Sequence, residues 1–209
     1  PEGAGYFLAE TRRMRPELAE VVSELSYDNR LHAHPTASLR EVRGFSEAGL
    51  FWHPVSHFGN STSSIEEASE VVGIVRRALG GSLYEPGERP RPMGQQDVIV
   101  VAAYNAQVEC LSEALAEAGL EEVRVGTVDK FQGQEAAVAI VSLAASSGDD
   151  VPRGLDFLLM RNRLNVAISR AQWSAHLVSS DRLGDSLPHT AEGVAALSGY
   201  LRLTERGRR

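Results

Sequence analysis

Val98-Ile99-Val100-Val101-Ala102, followed by a helical pattern over 105–118 that Gly119 ends, is the stretch that decides the fold. Five apolar residues without polar alternation read as a strand covered on both faces. Downstream, 123–125 reads as a short strand and 138–143 as another apolar one. A helix covers 156–171, a strand holds 176–178, and 191–203 reads as a closing helix. Upstream, 16–27 reads as a helix, with Pro16 suited to the first turn and Leu18, Val21, Val22 and Leu25 at helical spacing. The stretch 51–55 is a strand. Ser63 or Ser64 then caps a helix, with Glu66 or Glu67 as the reciprocal partner, and Gly80-Gly81 stops that helix after Leu79. Strands alternating with helices predict an α/β fold of three layers, α/β/α, around a mostly parallel sheet. The whole of 1–209 reads as one domain, with an irregular segment at 28–50 and a flexible Gly-, Pro- and Arg-rich loop at 81–96. Ligands of such sheets gather at the carboxyl ends of strands, which is where the motifs are expected to fall.

The 209 residues are 43% hydrophobic and 23% charged, with a net charge of −7. That composition is ordinary for a globular domain with a core of its own. No run approaches the roughly 18 apolar residues of a membrane helix. The opening PEGAGYFLAE lacks a basic-then-apolar signal and reads as a cut made inside a longer protein. Cys110 is the one cysteine, which excludes an internal disulfide and a CxxC metal knuckle, and the expected compartment is cytoplasmic. No metal site is expected. A negative surface does not attract nucleic acid, so any strand contact has to be a local site.

The informative absence is a G-x-x-x-x-G-K-[S/T] loop; Lys130, the only lysine, is not preceded by glycine. Without that loop there is no nest of backbone amides for a β-phosphate and no hydroxyl for magnesium. No apolar strand ends in Asp-Glu either. Any ATP chemistry must therefore be shared with another domain.

Thr127-Val128-Asp129-Lys130-Phe131-Gln132-Gly133-Gln134-Glu135 lies between two apolar strands. Gly133 allows close backbone approach, and Glu135 could accept hydrogen bonds from a ribose; as a generic Gly-containing loop it is simply a turn with an exposed carboxylate. In Arg163-Leu164-Asn165-Val166-Ala167-Ile168-Ser169-Arg170-Ala171, a continuous helix would place Arg163 and Arg170 within about 20° of each other, beside an apolar stripe. Spacing alone favours a solvated basic edge; the functional reading is an arginine finger. Thr11-Arg12-Arg13-Met14-Arg15-Pro16 is a basic turn before a helix, either a charged flank or a phosphate sensor. At the end of the deciding strand, Tyr104 and Asn105 open a helix; Tyr104 serves equally as a stacking residue for a nucleic-acid base or as an ordinary strand-end residue.

Taken together and in this order, the segments resemble the second RecA-like domain of superfamily 1 helicases, in the branch that contains the nonsense-mediated-decay helicase. That branch carries Y-R-M-H-P, T-P-Y-x-x-Q, V-D-x-F-Q-G-x-E and R-L-N-V-A-x-[S/T]-R-A. This chain has Arg13-Met14 with Pro16, Tyr104 with Gln107, Val128-Asp129 with Phe131-Gln132-Gly133 and Glu135, and Arg163-Leu164-Asn165-Val166-Ala167 with Ser169-Arg170-Ala171. The match spans roughly 10–180. The resemblance implies a RecA-like, P-loop-NTPase-type fold lacking its own Walker loop. It implies that Arg13 and Arg170 face the γ-phosphate, with Arg170 as the finger, and that Glu135 holds the ribose in a loop shaped by Gln132 and Gly133. Arg163 would support the nucleotide site by anchoring the finger helix. Thr127, Tyr104 and Asn105 would face single-stranded DNA or RNA. ATP with Mg2+ would be bound mainly by an N-terminal RecA-like domain of the same protein, and this part alone would be inactive. Two positions depart from the pattern: Arg12 replaces an aromatic residue, and Ala102-Ala103 replaces Thr-Pro. A competing reading is a non-hydrolysing RecA-like interaction or scaffold module.

Overall fold

A computed structural model describes residues 7–207. Five parallel strands form the main sheet: β1 (Gly49–Val55), β2 (Val98–Ala102), β3 (Arg124–Thr127), β4 (Ala136–Ser142) and β5 (Ala171–Ser180). Their spatial order is β1-β5-β4-β2-β3. Every residue of β2 and β4 is buried, as the unbroken apolar runs predict for strands covered on both sides.

The helices are α1 (Pro16–Ser26), α2 (Ile65–Leu79), α3 (Asn105–Glu117), the single turn α4 (Leu155–Leu158), α5 (Arg161–Ile168) and α6 (Ala191–Arg206). Strand alternation separates two cores. Ile99, Val101, Ala139 and Val141 pack with Leu18 and Val22 of α1, Ile168 of α5 and Tyr200 of α6. Val98, Val100, Ala102, Val138 and Ile140 pack with Ile74 of α2 and Leu111 of α3. The result is the three-layer α/β/α, RecA-like arrangement.

The helix caps follow the sequence in part. Ser64 caps α2, accepting from the Glu67 N–H at 3.1 Å, while its own hydroxyl donates to Glu66 at 2.9 Å. The Glu67 carboxylate is used elsewhere, as described below.

Three expectations are corrected. The helix read over 156–171 is broken: Leu159 and Met160 leave helical geometry, and Ala171 already belongs to β5, paired with Ala136. Arg163 and Arg170 therefore do not share one helix edge; sheet pairing overrides local helix propensity there. The stretch 81–96, read as a flexible loop, carries two strands, Ser82–Tyr84 and Arg91–Pro92, which with Glu41–Arg43 make a small antiparallel sheet. A two-pronged Arg91–Asp97 ion pair, at 2.5 and 2.6 Å, pins its end. The segment 28–50 likewise holds the short strand His32–Ala33 and a 3-10 turn at Pro35–Leu39.

Candidate nucleotide-facing site

Arg13 lies between the short strand Glu10–Thr11 and α1, where no helix or ladder fixes it. Its Nε donates to Glu135 Oε2 at 2.6 Å and its Nη1 donates to the Ser169 carbonyl at 3.1 Å. Glu135 immediately precedes β4 and Arg170 immediately precedes β5. These strands are neighbours, and the Ala136 N–H donates to the Arg170 carbonyl at 3.1 Å. Register therefore sets Glu135 beside Arg170, and the Arg13 side chain spans both segments.

The electrostatics follow from this crowding. Burial raises the Glu135 carboxyl, but the Arg13 guanidinium, a hydrogen bond from Gln172 and the charge of Arg40 outweigh it, and the group ends below the usual carboxylate range. The side chains of Arg13 and Glu135 remain 28% and 46% exposed. Burial pushes Arg170 down from the usual arginine value, and the like charge of Arg13 adds to that, against Tyr27 and Glu135. The Arg170 Nε donates to Val166 at 2.8 Å, while its Nη atoms make only long 3.4 Å contacts, to Phe131 and Gln134 carbonyls and the Ser169 hydroxyl. Two guanidiniums beside a partly exposed carboxylate can engage a phosphate and a sugar hydroxyl, respectively.

The connecting loop is shaped by Gly133, whose φ of +81° lies in the region that favours glycine. Gln132 is exposed, and Lys130 folds back to donate to the Val125 carbonyl at 2.7 Å. Three neighbours escape sequence reasoning. Gln172 donates to Glu135 Oε1 at 2.9 Å, Arg124 donates to the Glu135 carbonyl at 3.3 Å, and Arg40 donates to the Arg13 carbonyl at 2.8 Å. Gln172, two residues past Arg170, stands at the start of β5, where the ladder with β4 is irregular between Ala171 and Ser174, so no strand alternation in the sequence points to it. Arg40 and Arg124 have no motif around them.

Residues 2–182 match a family of AAA domains designated AAA_12. The chain belongs to that AAA domain family. The regulator of nonsense transcripts 1 of Caenorhabditis elegans is 29% identical over 189 residues, 82% of this chain and 16% of the relative. The DNA polymerase alpha-associated DNA helicase A of Schizosaccharomyces pombe is 48% identical over 75 residues, 36% of this chain and 11% of the relative. The AAA domain thus spans less than a fifth of these two relatives and is homologous to helicases of the branch its motifs resemble. In fold it resembles the C-terminal domain of a possible DNA helicase from Lactobacillus plantarum, with a TM-score of 0.50 at 16% identity, covering 83% of this chain and 89% of that one.

The sheet of this AAA domain corrects where its motifs fall. Glu135 and Arg170 stand at the amino ends of β4 and β5, not at carboxyl ends. A crossover between parallel strands has to return to the starting edge, so Thr127, at the end of β3, and Glu135 lie at opposite edges of the sheet. Tyr104, just past β2, shares the carboxyl edge with Thr127. Its ring lies 6.3 Å from that of Phe157, and Arg153 and Arg163 sit 4.9 and 4.8 Å from the centre of the Phe157 ring. The Tyr104 hydroxyl is buried with no hydrogen-bond partner, and burial pushes its pKa up against the two arginines. Asn105 is exposed, whereas Gln107 is wholly buried. Arg163 therefore groups with Tyr104, away from the Arg13–Glu135–Arg170 cluster. Among the described residues no helix is long and apolar enough to cross a membrane, and no group of three or more His, Cys, Asp or Glu is placed to hold a metal.

Proposed function

We propose that this chain is the C-terminal motor half of an ATP-dependent DNA or RNA helicase, completing an ATP site whose other wall belongs to an N-terminal RecA-like domain. The observation that carries the reading is the convergence of Arg13, Glu135 and Arg170 on one edge, with Arg13 Nη1 3.1 Å from the Ser169 carbonyl although 156 residues separate them. Two like charges are held close together there, one of them with only weak contacts at its Nη atoms. A triphosphate fits that arrangement because it removes the repulsion. The exposed Glu135 oxygens suit the ribose hydroxyls.

When bound, ATP with Mg2+ would supply an electrophilic, charge-neutralised γ-phosphoryl group, and a Walker loop on the N-terminal RecA-like domain would hold it. The residues of this lobe bind and orient: Glu135 fixes the sugar, Arg13 reads the phosphate, and Arg170 stabilises charge as the finger. Single-stranded nucleic acid lies along the carboxyl edge, with Thr127, Asn105 and the Tyr104–Phe157 pair. Arg163, stacked on Phe157, serves that edge more directly than the nucleotide.

ATP hydrolysis by the parent protein tests this, with Arg170→Ala, Arg13→Ala and Glu135→Ala compared against wild type. Loss of turnover in the arginine variants, with folding intact, is expected. Wild-type turnover in both would remove the motor reading and leave the interaction module.

A further inference from the structure

The cluster gives Arg13 its chemistry, but the backbone of residue 13 has few supports. It lies outside regular structure, and its N–H has only a 3.3 Å contact with the Thr11 hydroxyl. Its carbonyl is taken by Arg40, whose Nη1 donates at 2.8 Å. Arg40 stands between the 3-10 turn Pro35–Leu39 and the strand Glu41–Arg43 of the small antiparallel sheet. From that sheet Glu85, the residue after Ser82–Tyr84, accepts from Arg40 Nε at 3.2 Å. The tie also runs in the other direction. Arg15 donates to the Ser38 carbonyl and, at 3.1 Å, to the Arg40 carbonyl, while its guanidinium lies 5.2 Å from the centre of the Trp173 ring.

We propose that Arg40, braced by Glu85, is a positioning residue for Arg13: it fixes the carbonyl of residue 13 so that the guanidinium is delivered to the nucleotide-facing edge. This rests on the motor reading above. It also gives the small sheet, which lies outside the five-stranded core, a task in the site. Arg40 suits the task because its fork can hold a carboxylate behind and a carbonyl in front at once, which a lysine ammonium on a flexible stem does less rigidly. Its side chain is only 14% exposed, so the fork is held in place by its surroundings.

A displacement of about 1 Å in a phosphate-binding group can cost on the order of 100-fold in rate. In the parent protein, Arg40→Ala is expected to lower kcat for strand-stimulated ATP hydrolysis by at least about 10-fold. KM for ATP and affinity for single-stranded DNA should stay within about twofold, because Arg40 touches neither. Arg40→Lys should recover part of the loss, and Glu85→Gln should show a smaller fall in kcat alone. A wild-type kcat in Arg40→Ala overturns the proposal, and so does a fall in strand affinity of the same size as the fall in kcat. Should Arg40→Ala fail to fold, Arg40→Lys decides: reduced kcat at unchanged KM supports the assignment and wild-type kcat ends it. Arg13→Ala, measured in parallel, separates the two layers. If that variant turns over normally, the motor reading itself fails; if it is inactive while Arg40→Ala is normal, only the positioning role fails.

Discussion

Arg13 and Glu135 are each other's strongest partner, at 2.6 Å, and under the proposed motor role a nucleotide would have to compete with that pair for both side chains. Glu135→Gln keeps the shape and removes the charge, so it should weaken ATP binding by the parent protein through the proposed ribose contact while releasing Arg13. The expected sign is a raised KM for ATP with a smaller change in kcat, checked by steady-state hydrolysis at saturating strand. Arg170 is different in kind, because its Nη atoms have only long contacts to give up. Arg170→Ala should lower kcat by about 10³-fold with little effect on KM, the pattern of a group used only in the transition state.

At the scale of elements, the carboxyl edge is organised by a buried network. The Glu67 carboxylate, on α2, accepts from the Ser142 hydroxyl at 2.6 Å and the Ala144 N–H at 3.0 Å, and its other oxygen lies 3.2 Å from His57 Nε2. Gln107 of α3 extends the network, donating to Ser142 at 2.9 Å and accepting from the Ser64 N–H at 2.7 Å. These bonds join the ends of β1 and β4 to the starts of α2 and α3, and they hold Ala144 at a φ of +70°. Glu67→Ala would strand several buried polar groups at once and should cost about 3 kcal/mol in stability, read from urea unfolding of the isolated domain. Gly133→Ala forces a side chain into the left-handed region at a cost of about 1–2 kcal/mol. A relaxed loop in that variant would show as a raised KM for ATP in the parent protein.

For the whole molecule, two histidines make stability depend on pH. His176 is fully buried under α2, stacked 5.0 Å from Phe51, with its Nδ1 2.9 Å from His53 Nε2. Burial, then the charges of His53 and Arg77, hold His176 well below the ordinary histidine value of about 6.5. Burial and Arg77 also lower His53, against the nearby Glu70. Below pH 6.5 the unfolded chain binds protons that the folded one refuses. Their contribution is therefore complete above that pH and is lost as pH falls through the acid range. The melting temperature of the domain should fall from pH 7.5 to pH 5, and His176→Gln should flatten that slope. An unchanged slope would clear the pair of this role.

The chain itself determined a good deal of this protein. Unbroken apolar runs in β2 and β4 made a parallel sheet legible, because a strand covered on both faces has no polar side to show. The Ser64 cap and the glycine stop fixed α2, and the motif letters brought forward Arg13, Glu135 and Arg170. Tertiary structure decided the rest. It ended the helix that leads to Arg170 at Ile168, since Ala171 is taken into the sheet by pairing with Ala136. It set Glu135 and Arg170 at the amino edge, because parallel crossovers must return there. It drew Arg40 to Arg13, and Glu85 to Arg40, from two separate stretches, one read as irregular and the other as a flexible loop. Such partners are set by long-range packing, which no local window of residues encodes.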